Sequence, residues 1–109
     1  IAYYELDKTN HYAPALDKIP EELAKKAKMM VVSYPLNPTC TCIEKADYEK
    51  IIAFAKKYNI AIIHDNAYSE IEYDGRTGFS FLSVPEAFYA FREQKRLVWN
   101  LIRCQRPII

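Results

Sequence analysis

Three side chains have the types and surroundings to grip a polar ligand. Asp65 and Tyr68 lie in residues 60–70, IAIIHDNAYSE, and Asn37 lies in residues 33–40, SYPLNPTC. A carboxylate accepts hydrogen bonds or counters a cation, while a carboxamide and a phenol can each donate to an oxygen. The apolar run Ile60, Ala61, Ile62, Ile63 stops abruptly at His64 and Asp65. In open α/β sheets ligands sit just beyond the carboxyl ends of strands, which is where Asp65, Asn66 and Tyr68 fall. Asn37 stands between Pro35 and Pro38, whose rings fix the local backbone, and Asn37-Pro38 is a candidate cis bond. Taken singly, each stretch also has a structural reading. Asp65 would cap a turn, Tyr68 would pack under a helix, and the Asn37 loop would be a rigid exit from a strand.

The elements that must position these groups follow from periodicity. Residues 60–64 read as a short strand buried on both faces, as in parallel sheets covered by helices. Residues 29–34, MMVVSY, read as a second strand that Pro35 ends, and residues 1–6, IAYYEL, as a first. Residues 7–10 then break the chain with polar turn formers. Pro20 opens a short amphipathic helix, with Glu21 and Glu22 at its positive end and Lys25, Lys26 and Lys28 toward its negative end. Thr41 and Glu44 have capping-box spacing, so a long helix is expected from there to about Tyr58. Tyr48, Ile51, Ile52, Ala55 and Tyr58 would form its apolar stripe. Strand, helix, strand, helix, strand with short connections predicts an α/β fold, a βαβαβ core with a parallel sheet. Beyond it, Tyr73-Asp-Gly75 suggests a turn, residues 79–84 an apolar segment, 88–96 a helix and 97–102 a strand.

Composition excludes several classes. With 109 residues the chain suffices for one small domain, and a net charge of +1 with dispersed Lys and Arg gives no support to nucleic-acid binding. No apolar run reaches membrane-spanning length. Cys40, Cys42 and Cys104 are too few for a disulfide framework and point to a reducing, cytoplasmic setting. Cys40 and Cys42 have no second Cys or His pair at ligand spacing, so no metal site is expected; His11 reads as a surface residue. With only Gly75 and Gly78, neither a Walker loop nor a dinucleotide fingerprint can be built, which weakens the alternative of a non-catalytic α/β binding or interaction module.

The two strand ends together, Asn37-Pro-Thr and Asp65-x-Ala67-Tyr68 with one helix and one strand between, resemble the class I/II aminotransferases of the aspartate aminotransferase fold. These are enzymes dependent on pyridoxal 5′-phosphate (PLP). The wording YYELDKTN, DKIPEELAKKAK, AFAKKYNI and HDNAYSEI is similar to the branch that includes LL-diaminopimelate aminotransferase. The resemblance covers about residues 1–86. It implies part of a three-layer αβα large domain, homodimers, and amino-acid and 2-oxo-acid substrates. By the same resemblance Asp65 would pair with the protonated pyridine nitrogen, Asn37 and Tyr68 would hydrogen-bond the phenolic oxygen, and Ala67 would pack against the ring. The family motif reads NPTG, and here Cys40 replaces the glycine; if the position needs a positive φ, a side chain strains it. The phosphate-binding groups and the stacking aromatic are expected upstream of Ile1. The Schiff-base lysine, in an S-x-S-K context, and the substrate-binding arginine are expected downstream. The chain is therefore expected to be a fragment without transaminase activity of its own, with no catalytic residue among its 109.

Residues 87–109 read as a non-native tail. Regrouping each codon's third base with the next codon's first two, Trp99-Asn100 forces Glu, Cys104-Gln105 permits Ser and Gln105-Arg106 permits Lys. Every step is compatible with a Ser-Leu-Ser-Lys segment in a neighbouring frame. The same regrouping of residues 86–91 permits SFLRVP, nearly repeating SFLSVP of residues 80–85, so a short tandem duplication would account for the slip. Segments never selected to pack on the sheet would form structure only incidentally. Sequencing the coding DNA tests this: the shifted frame is expected to spell the lysine segment, and any other reading there rejects the frameshift.

Overall fold

The computed structural model describes residues 1–69, 75, 80–85 and 99–101. Its centre is a parallel pair. Strand β3 (Met29–Ser33) lies beside β4 (Ala61–Asp65) in continuous register from Met29 opposite Ala61 to Ser33 opposite Asp65. Helix α2 (Lys45–Tyr58) makes the crossover between them, and β5 (Trp99–Leu101) adds parallel on the far side of β4, giving the order β3-β4-β5. The expected α/β class with a parallel sheet is what the chain adopts. Its third strand, however, is β5 and not residues 1–6.

The amino-terminal segment departs from expectation. Only Leu6–Asp7 (β1) is extended and paired, antiparallel to Ala13–Pro14 (β2), while Ile1 and Tyr3 are exposed. Aromatic and β-branched content favours a strand only where a face exists to pack on. What breaks the chain is local: Asp7 caps a single 3₁₀ turn at Lys8–Asn10, its carboxylate accepting the Thr9 N–H at 2.8 Å and the Thr9 hydroxyl at 2.7 Å. Those bonds hold the Asp7 carboxyl below the usual carboxylate range.

Helix α1 (Glu21–Lys26) follows Pro20 as predicted and buries Ala24. Helix α2 starts later than its expected box. Glu44 is the N-cap, and the Asp47 carboxylate, in the first turn, reaches back to accept the Glu44 backbone N–H at 3.3 Å. Thr41 is instead engaged in the preceding loop, its hydroxyl donating to Thr39 Oγ1 at 2.9 Å. At the other end Asn59 takes the left-handed conformation (φ 58°) that lets the chain leave the helix and enter β4 directly.

The face that α2 covers is the core: Met30 and Val32 of β3, Ile62 and His64 of β4, and Tyr48, Ile51, Ile52 and Ala55 of the helix stripe. A 3₁₀ turn at Phe81–Ser83 completes it with Phe81 and Val84, both fully buried. The opposite face is open in part, with Met29 57% and Val31 54% exposed. β4 is therefore not buried on both faces as its apolar run suggested; Ala61, Ile63 and Asp65 keep partial exposure. The strands alternate: the residues clustered with the apolar stripe of α2 are buried, and those between them keep some exposure. No described helix is long and apolar enough to cross a membrane. The turn at residues 73–74 and the helix at 88–96 lie outside the described residues.

Asp47→Ala should cost about 1 kcal/mol, the usual worth of a helix cap, whereas Thr41→Val should leave the helix start unaffected. Urea denaturation followed by circular dichroism distinguishes the two.

Candidate functional site

The parallel pair ends with its two outgoing loops side by side. Ser33 is opposite Asp65, and the Tyr34 N–H donates to the Asp65 carbonyl at 3.2 Å, the last rung before both chains leave the sheet. The loop from β3 is a compact turn. The Leu36 N–H donates to the Thr41 carbonyl at 2.9 Å, the Cys40 N–H donates to the Leu36 carbonyl at 2.7 Å, and Tyr34-Pro35 and Asn37-Pro38 are both cis. From β4 the chain turns immediately through residues 67–69.

These two loops bring Asn37 to Tyr68. The Asn37 Nδ2 donates to the Tyr68 hydroxyl oxygen at 3.2 Å, across 31 positions of sequence. The Tyr68 side of that bond is an acceptor, so its own O–H remains available to a ligand. With Tyr68 41% exposed, a ligand can reach it from solvent. Asp65 stands one rung below on the adjoining strand; its Oδ2 accepts from the Ser33 hydroxyl at a long 3.5 Å, which leaves acceptor capacity on both oxygens. Ala67, partly buried, follows between Asp65 and Tyr68. All four residues singled out in the sequence thus sit at one sheet end, with the Asn37–Tyr68 pair in direct contact.

Two further residues belong to this neighbourhood. Asn66 buries its side-chain Oδ1 and meets no donor among the described residues, an arrangement that costs free energy wherever it persists. His64 is wholly buried one residue before Asp65, and its Nε2 lies 3.2 Å from the Tyr34 carbonyl. The signal that could have found His64 was its place in the alternation with Ile62, which aims it into the core and not toward the ligand side.

Cys40 takes the positive φ that its position demands, at 54°. Its thiol is exposed, with Sγ 3.8 Å from the Pro38 carbonyl, so nothing in the core holds it there. Left-handed backbone at a residue with a Cβ is unfavourable, and the strain is confined to the turn that carries Asn37.

A family model described as aminotransferase class I and II matches residues 1–96. LL-diaminopimelate aminotransferase of Syntrophobacter fumaroxidans is 41% identical over 85 residues, covering 78% of this chain and 22% of the relative. The enzyme of the same name from Gloeobacter violaceus is 46% identical over 78 residues, 72% of this chain and 20% of the relative. Among solved structures, substrate-bound BacF from Bacillus subtilis superposes with a TM-score of 0.72 at 42% identity, over 77% of this chain and 21% of that one. The chain thus spans about a fifth of the length of the relatives it matches.

Cys40→Gly should raise stability by roughly 0.5–1 kcal/mol, the left-handed penalty less the added entropy of an unfolded glycine. An unchanged or lowered urea midpoint would show that the turn is not strained at this position.

Proposed function

The chain belongs to the class I and II aminotransferases, and from that premise we propose that residues 1–86 are the part of the large domain that grips the pyridine ring of PLP. The parent enzyme moves an amino group between an amino acid and a 2-oxo acid. The observation that carries this reading is the Asn37–Tyr68 contact beside Asp65 at the mouth of two hydrogen-bonded strands.

The chemistry of the donor set fits the cofactor. When bound, PLP supplies an aldehyde that takes up the amino group and a ring that accepts electrons. Such a ring presents a cationic N–H on one side and an anionic oxygen on the other. Asp65 offers the carboxylate, which would hold the proton at the ring nitrogen. Asn37 and Tyr68 offer neutral donors already close enough to share one oxygen. Ala67 is small enough to lie flat beneath an aromatic ring without crowding it. Asp65 and Tyr68 come from the end of β4 and Asn37 from the adjoining end of β3, so the pairing of the two strands sets how the three groups lie.

Residues 1–109 contain no Ser-x-Ser-Lys segment, the context in which the family's Schiff-base lysine stands, and we read this chain by itself as inactive in amino transfer. Residues 87–109 are a non-native tail in this reading, although the family match reaches residue 96 and Trp99–Leu101 pair with β4 beside Asp65. A homodimeric, biosynthetic parent enzyme in the reducing cytoplasm accords with the family and with the exposed Cys40 thiol.

Absorbance titration of the purified chain with PLP tests the site. Any binding is expected to be weak, since residues 1–109 offer no Schiff-base lysine context, and to be weakened further, roughly 10- to 100-fold by Asp65→Ala, the worth of one hydrogen bond to a charged group, and several-fold by Asn37→Ala or Tyr68→Phe. Binding that none of the three substitutions alters would overturn the assignment.

A further inference from the structure

A regular parallel ladder would continue past the Tyr34 N–H···Asp65 rung with the next donor, the Ala67 N–H, bonded to the Tyr34 carbonyl. That rung is not made, because β4 ends at Asp65 and the chain turns through residues 67–69. The Tyr34 residue is buried, and a buried carbonyl needs a partner. It finds one in His64, whose Nε2 lies at 3.2 Å. A carbonyl can only accept, so the ring is the donor and carries its proton on Nε2.

The imidazole is itself held from two sides. Tyr48 of α2 meets it edge-on at 5.8 Å between ring centroids, and Phe81 does so at 4.9 Å; Tyr48 and Phe81 also touch each other at 4.6 Å. Tyr34 is fixed at its other atoms too, its N–H by the Asp65 carbonyl and its phenol by donation to the Tyr12 carbonyl at 2.6 Å. The segment 34–40 therefore leaves the sheet from an anchored residue, and Asn37 stands three positions beyond that anchor.

We propose that His64 is a positioning residue: its Nε2–H replaces the ladder donor that β4 gives up on turning, and so seats the Asn37 loop against the strand end that carries Asp65. This frees Ala67 and Tyr68 to face the ligand while the two strand ends stay joined. The inference rests on the PLP-site reading for its functional consequence, and its structural part can be measured without ligand.

Two variants of the full 109-residue chain separate hydrogen bonding from packing. His64→Phe keeps a ring between Tyr48 and Phe81 but removes the donor; His64→Gln keeps an N–H donor. Long-range ¹H–¹⁵N spectra of the wild-type chain should show the Nε2–H tautomer. The Asn37 side-chain amide resonances should move in H64F and stay near wild type in H64Q. PLP affinity should fall about tenfold in H64F, as expected for a lost hydrogen bond that leaves a buried carbonyl unpaired, and recover at least partly in H64Q. An Nε2 without a proton, or Asn37 resonances unmoved in H64F, overturns the proposal. If H64F does not fold, the wild-type tautomer and the H64Q resonances decide alone. Failure of the wild-type chain to bind PLP counts against the site reading, and the tautomer and Asn37 measurements still decide this one.

Discussion

The interaction on which the rest depends is the register of β3 against β4. Because side chains alternate with a period of two, a slip of one residue would carry Asp65 to the covered face and His64 to the open one. The core resists that slip: Met30, Val32, Ile62 and His64 form the inward set, and all are buried beneath α2. Exchanging them for Val31 and Ile63 would bury no histidine, but it would push the Asp65 carboxylate toward the Tyr48 and Phe81 rings, an apolar setting that costs a charge its hydration. The apolar pattern of two short strands thus sets which end-residues face one another across the sheet mouth. The polar site inherits its geometry from hydrophobic burial.

What was legible in the sequence was what local pattern determines. The crossover helix with its stripe, the strands at 29–34 and 60–64, and the polar break after Leu6 all appear within a residue or a few of where periodicity put them. The convergence of Asn37, Asp65, Ala67 and Tyr68 on one sheet end followed from parallel topology together with the resemblance. Elements that depend on distant partners were legible only in part: the strand read at residues 97–102 appears as β5, whereas that read at 1–6 does not join the parallel sheet. Residues 1–6 have strand-like composition, yet they lie off the parallel sheet, with Tyr4 reaching back through its phenol to the Val31 carbonyl at 2.8 Å. Burial lifts that phenol's pKa above its ordinary value, as it does for Tyr34. Two acidic residues competed to define the start of α2; spacing favoured Thr41-Glu44, while the structure uses Glu44-Asp47 because Thr41 is taken up in the tight turn with Leu36. Likewise the continuous apolar run of β4 cannot disclose that one face of the sheet is open, since exposure is set by what packs on it.

Left-handed backbone at residues bearing a Cβ occurs at His11, Tyr12 and Asn59 as well as at Cys40. The left-handed Cys40, the orphaned Asn66 Oδ1 and the half-exposed Tyr68 ring all lie at the carboxyl end of the β3–β4 pair. Directly beneath them the structure is closely satisfied: Tyr34 is bonded at its N–H, carbonyl and phenol, and the Tyr48, His64 and Phe81 rings meet edge to face. Each such ring contact is worth about 0.5–1.5 kcal/mol beyond burial, enough to offset one strained residue and one unmet acceptor of similar cost. Glycine at position 40 would relieve the strain of that turn. Among the described residues, rigid packing below and open polar capacity above are divided at the last rung of the parallel ladder. The groups at that surface are a carboxylate at the end of β4, a phenol three residues beyond it and a carboxamide from the loop that leaves β3.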